Sequence, residues 1–163
     1  MKKLVRFTVL TFAIMQMCLA PVYANVDEGG EIAVRGMMHQ WLAAYNSKDI
    51  DALMLLYSDN IYYANNGNSL TQSKEAIRRN YEPQFKAAPN VTIDFTEELI
   101  KASATLAHIA GKYRVNIPHA DSTLTHAYGR VLLIFEKQDG QWKLIVDFDN
   151  TANDITAADF EKN

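Results

Sequence analysis

Asp147 and Asp149 stand two residues apart at the end of the apolar run that begins at Trp142. Carboxylates at i and i+2 of a strand share a face. Held close together, each disfavours ionisation of the other, an arrangement suited to acid–base chemistry. His126, Tyr128 and Arg130 lie on the preceding run and complete the one charged constellation of the chain. Asp147, Asp149 and His126 are therefore the candidate catalytic groups. The same residues also allow a plainer arrangement, an Arg130–Asp149 ion pair on an exposed sheet surface.

Other chemistries find less support. His119, Asp121 and His126 follow a His-x-Asp-x4-His spacing that matches no standard metal site, and no metal is expected. No Gly-x-Ser-x-Gly elbow and no Gly-rich phosphate loop occurs, so neither a serine nucleophile nor a nucleotide cofactor is implied. The single cysteine, Cys18, falls in an N-terminal leader.

A second set of residues is aromatic with polar tips: Trp41, Tyr57, Tyr63, Asn65 and Tyr81, with Val131, Leu133, Val146 and Phe148. Gathered round a cavity, they would suit a small apolar ligand bearing one or two hydrogen-bonding groups. Gathered without a cavity, they are a core.

The elements that must position these groups can be read from spacing. Val34, Met37, Met38, Trp41, Leu42 and Tyr45 make one helical stripe beginning near Glu31. Asp49 caps a second helix carrying Leu53, Leu56 and Tyr57 and ending near Asp59, and Ile61–Ala64 is a short strand. Ser73 caps a third helix with Ile77, Tyr81 and Phe85 on one side, and Pro83 is expected to kink or end it. Four strand-like runs follow, within 91–95, 106–117, 124–135 and 142–148. Helices first and a strand meander after give an α+β fold with the helices on one sheet face.

Asp139-Gly140 predicts a two-residue type I′ hairpin. Counting back from it, Glu136 opposes Lys143, Phe135 opposes Leu144, Leu133 opposes Val146 and Val131 opposes Phe148. That face is wholly apolar and is expected to look inward. Asp147 and Asp149 then fall on the other face, opposite Leu132 and Arg130. A bulge would exchange the faces and bring the carboxylates in.

Met1–Arg6 is a short basic head, Phe7–Leu19 is almost wholly apolar, and Val22-Tyr23-Ala24 has the small-x-small form of a cleavage site. Residues 1–24 are thus expected to be a secretory signal peptide, and 25–163 a single periplasmic domain with no membrane span after cleavage. Cleavage removes three of the 16 basic residues and none of the 19 acidic ones, leaving 13 against 19, a balance of −6. An acidic chain without a Lys/Arg cluster excludes nucleic acid as a partner.

The stretches Trp41–Leu53, Leu56–Ile61, Ser73–Ile77, Gly129–Phe135 and Asp139–Leu144 together resemble the SnoaL-like and DUF4440 branch of the nuclear transport factor 2-like (NTF2-like) superfamily, to which ketosteroid isomerase belongs. The resemblance implies a cone: three N-terminal helices packed on a strongly curved, mostly antiparallel sheet, commonly dimerised through the outer sheet face. It also implies where the isomerase's catalytic groups would fall. The oxyanion tyrosine corresponds to Trp41, the base to Asn65 and the oxyanion aspartic acid to Val131. None is the required residue, since an amide cannot take a carbon-bound proton and valine cannot donate a hydrogen bond. Tyr57 and Tyr81 match two supporting tyrosines. Three functions follow as expectations: a periplasmic binder of a small apolar molecule in the cone, an acid–base enzyme on a hydrophobic substrate, or a dimerising module using Leu132, Ile134 and Ile145.

Overall fold

The computed structural model describes residues 27–161, so the proposed leader and its cleavage site lie outside the described residues. The chain runs α1 (Glu28–Ser47), α2 (Ile50–Leu56), β1 (Tyr57–Ala64), α3 (Lys74–Ala87), β2 (Thr92–Ala102), β3 (Leu106–Pro118), β4 (Leu124–Gln138) and β5 (Gln141–Thr151), with a 3-10 turn at Ala157–Phe160. No helix among the described residues is long and apolar enough to cross a membrane.

Each helix begins where a polar side chain takes an orphan backbone donor. Asp27 accepts from Gly30, Asp49 from Ala52 and Ser73 from Ala76. The Asp27 cap starts α1 ahead of the apolar stripe, which carries the helix through a Gly29-Gly30 pair that spacing alone left outside it. Pro83 does not end α3. Tyr81 and Phe85 are anchored in the core on either side of it, and their burial carries the last turn past the missing donor. The chain also leaves α2 sooner than expected, with β1 already under way at Tyr57.

The sheet order is β1-β5-β4-β3-β2, with β1 parallel to β5 and every other pair antiparallel. The helices cover one face, and the core between them is centred on Val34, Leu53, Ile61, Ile77, Ile109 and Leu144. Helix α1 is laced to β2 along its length: the Asp27 amide donates to Ala102, Arg35 pairs with Glu97, and the Asn46 amide both donates to and accepts from the Ile93 backbone. This fixes the wall of the cone opposite β5. The outer face of β2–β4 is strapped by the C-terminal segment, where Asp159 pairs with Lys112 and the Phe160 ring lies beneath Arg114 and beside Tyr128.

The β4–β5 hairpin turns as predicted. Asp139 and Gly140 have φ of 49° and 81°, the left-handed pair of a type I′ turn. Glu136 opposes Lys143 and Phe135 opposes Leu144. Past that point the register departs from the simple count. Ile134 opposes Val146, because Ile145 is an extra residue in β5. A bulge adds local bend and twist, which a sheet wrapped into a cone requires. Its effect on side chains is an exchange of faces: Leu133 now opposes Asp147 and Val131 opposes Asp149.

Candidate active site

The bulge places both carboxylates on the inner face of β5 and turns Val146 and Phe148 outward. Phe148 is half exposed and lies outside the cone, opposite Leu132. This corrects the expectation that it lines the pocket. Arg130 moves by the same step. It opposes Asn150 and forms a bidentate pair with Asp154 at 2.7 and 2.8 Å, so the Arg130–Asp149 ion pair does not form.

Inside the cone is a cavity of about 220 Å³, equal to the liquid volume of roughly seven waters. Trp41, Tyr63, Asn65, Tyr81, Val131 and Leu133 line it, together with Asp147 and Asp149. Tyr57 lies behind the wall, fully buried. Tyr45, Phe95 and Tyr113 also line the cavity and were not foreseen. Tyr113 could have been found, since Ile109, Gly111, Tyr113 and Val115 alternate on one face of β3.

A chain of hydrogen bonds runs from α1 to the deeper carboxylate. Trp41 Nε1 donates to the Tyr57 hydroxyl at 2.9 Å, and that hydroxyl donates to Asp147 Oδ2 at 3.2 Å. An indole N–H can only donate, so the Tyr57 proton is free to point at Asp147. Asn65 Nδ2 donates to the Tyr63 hydroxyl at 3.1 Å, and the Tyr63 and Tyr81 hydroxyls are 3.4 Å apart.

Burial dominates the electrostatics. Asp147 is 4% exposed, and its carboxyl is pushed up to about 7, chiefly by burial and then by the charge of Asp149, with the Tyr57 hydrogen bond opposing both. Asp149 is also raised by burial, against which the Asn66 backbone and the Tyr113 hydroxyl hold it down. Burial raises Tyr57, Tyr63 and Tyr81 above the usual phenol range and Tyr113 to about 12, so all four remain neutral donors. Asp147 is thus poised to gain or lose a proton near neutral pH.

His126 does not join this site. It is exposed on the outer face of β4, opposite Asn116 and beside Tyr128. His119 bonds to Thr125 and Asp121 to Thr123. No group of three or more metal-ligating side chains occurs among the described residues.

A cone of this topology, with a cavity between helices and an inner sheet face, defines a member of the NTF2-like class. Within that class, the SnoaL-like domain model matches residues 34–146, more than half of the chain, and the protein belongs to the SnoaL-like domain family. A search of curated proteins finds no match to the chain. Among solved structures, the fold is similar to an NTF2-like protein of unknown function from Pseudomonas putida (19% identity, 80% of this chain and 92% of that one, TM-score 0.68). It is similar to an NTF2-like protein with a cystatin-like fold from Novosphingobium aromaticivorans (14% identity, 81% and 87%, TM-score 0.69). It is also similar to a ketosteroid isomerase-like protein from Erwinia carotovora (18% identity, 76% and 96%, TM-score 0.64). At these identities the likeness establishes the fold alone.

Proposed function

We propose that the protein is an acid–base enzyme acting on a small, largely apolar molecule held in the cone, with Asp147 transferring the proton. One observation carries this reading: a buried carboxyl, pushed up to about 7 by its burial, lies in the wall of a cavity of about 220 Å³. A group with that proton affinity serves as base or acid at physiological pH. Asn65 and the hydroxyls of Tyr63 and Tyr113 supply hydrogen bonds to orient an oxygen of the substrate. The reaction class that fits is proton transfer at a carbon beside a carbonyl, as in isomerisation or dehydration. The isomerase's own catalytic positions are Trp41, Asn65 and Val131 here, so the proton carrier comes from β5 instead.

The test is deuterium exchange into a panel of small cyclic ketones and enones in D2O, followed by NMR. Wild type is expected to exceed Asp147→Asn by about 10²- to 10⁴-fold, with the rate rising through pH 7 as the carboxylate forms. Equal rates for the two proteins across the panel would reject the assignment. In that case the cone remains a site for binding a small apolar molecule.

Two further expectations stand as proposals. The leader pattern supports export to the periplasm, for which N-terminal sequencing of the secreted protein should begin at Asn25; an intact Met1 would refute it. The outer faces of β1, β4 and β5 expose Tyr62, Leu132 and Phe148 beyond the C-terminal strap, which supports a homodimer through that surface. Sedimentation should give a dimer for wild type and a monomer for Leu132→Asp; a monomeric wild type would remove the proposal.

A further inference from the structure

The walls of the cone share one chemical peculiarity. Two carboxylates line the cavity, and among the described residues no lysine, arginine or histidine does. Buried acids in folded proteins are ordinarily paired with a cation or kept protonated. Here the chain offers Asp147 one neutral donor, Tyr57, to Oδ2, while Oδ1 takes no hydrogen bond from the described residues. The other walls are aromatic, with Trp41, Tyr45, Tyr63, Tyr81, Phe95 and Tyr113 around the same space. Aromatic faces attract cations through the negative face of the ring. The Tyr45 ring already does so within the chain, with Lys48 Nζ 4.7 Å from its centroid. That ammonium is held by the backbone carbonyls of Tyr45 and Val91, outside the cavity lining.

We infer that the natural ligand of the cone carries a positively charged nitrogen, an organic ammonium seated between the aromatic walls and the Asp147 and Asp149 carboxylates. This rests on the cavity being the substrate site and adds the charge of the substrate. The two acids divide the work. Asp149, the more open, faces the ammonium and pairs with it. Asp147, deeper and aligned by Tyr57, faces the reacting carbon. A cation beside the pair favours ionisation of both. Binding therefore drives the Asp147 proton to solvent and leaves a carboxylate base in the complex. The groups around Asp147 that could oppose this are Tyr57 and Tyr63 on β1, Tyr81 on α3, Tyr113 on β3 and Asp149 on β5, and none is cationic.

The decisive comparison uses a charged probe and its uncharged isostere, choline and 3,3-dimethylbutan-1-ol, titrated calorimetrically into the protein at pH 8 and low salt. Choline is expected to bind at least about tenfold more tightly, and Asp149→Asn to abolish the difference. If that variant does not fold, proton release in weak buffer near pH 7 replaces it: choline should release protons on binding and the alcohol should not. Equal or tighter binding of the alcohol overturns the inference and leaves the acid–base reading intact for a neutral substrate. No binding of either probe below about 10 mM also overturns it. The deuterium-exchange assay reports separately on Asp147.

Discussion

Asp147→Asn is expected to make the protein more stable at pH 8, by about 4 kcal/mol, while abolishing the proposed proton transfer. The folded chain holds the Asp147 proton up to about pH 7, whereas the unfolded chain releases it near the ordinary value of 3.8. Between those values the folded state binds more protons, so stability falls as pH rises and is level above 7. The interval corresponds to about 4 kcal/mol, at 1.36 kcal/mol per pH unit. Asparagine keeps the shape and can accept the Tyr57 hydrogen bond, but has no charge to bury. The gain should be absent at pH 4, grow through the interval and reach about 10 °C in melting temperature at pH 8. Thermal melts of both proteins from pH 4 to 8 give the result directly. A variant that melts lower than wild type at pH 8 would mean that Asp147 is ionised and fully satisfied in the folded chain, and would remove the basis for its role as proton carrier.

That cost explains why the site was only partly legible in the sequence. Helical stripes, the N-caps Asp49 and Ser73 and the Asp139-Gly140 turn are local signals, and each marked its element, whereas the Asp27 cap of α1 was not read. The aromatic wall was readable because Trp41, Tyr63 and Tyr81 sit on apolar stripes that must face inward. The orientation of β5 beyond Leu144 was not. A two-residue period buries Val146 and Phe148 and leaves the aspartates in water, which is the better arrangement by burial alone. The fold adopts the opposite one, leaving Phe148 half exposed and Asp147 at 4% exposure. A single extra residue, Ile145, does this, and nothing in the local run Lys143-Leu144-Ile145-Val146 distinguishes a bulge from plain alternation. The departure from the favoured pattern falls at the cavity wall, where function is expected to override local preference. The parallel strand β1 is irregular at the same level, between Tyr57 and Tyr62, so the strand carrying Tyr57 and Tyr63 shifts together with the one carrying Asp147. Arg130 was grouped with the aspartates by the simple hairpin register and His126 as its neighbour on the same strand, but β4 has no bulge against β3 and keeps both on the outer face.

Gly129→Ala is expected to damage the same site by steric means alone, costing about 2–3 kcal/mol. Gly129 faces Tyr113 across the β3–β4 ladder, and the tyrosine ring lies over it. A Cβ there would stand 2.2 Å from both Cζ and the hydroxyl oxygen of Tyr113, and 2.3 Å from the backbone oxygen of Asn150. The backbone of Gly129 is not left-handed, so the penalty comes from space and not from φ. Neither neighbour yields easily. Moving the ring takes the Tyr113 hydroxyl away from Asp149, and moving Asn150 strains β5 just past Asp147 and Asp149. The variant should therefore lose about 5–10 °C in melting temperature and its activity together. Gly36 provides the control, since nothing lies within 4 Å of a Cβ built there and it sits inside α1. Gly36→Ala should gain about 0.5–1 kcal/mol from helix propensity, with activity unchanged. The double variant Gly129→Ala/Tyr113→Ala separates the two contacts: recovery relative to Tyr113→Ala alone assigns the damage to the ring, and persistence assigns it to the β5 backbone. If Gly129→Ala behaves like Gly36→Ala, Tyr113 is free to leave the sheet, and it cannot be a fixed wall of the cone or a fixed donor to Asp149.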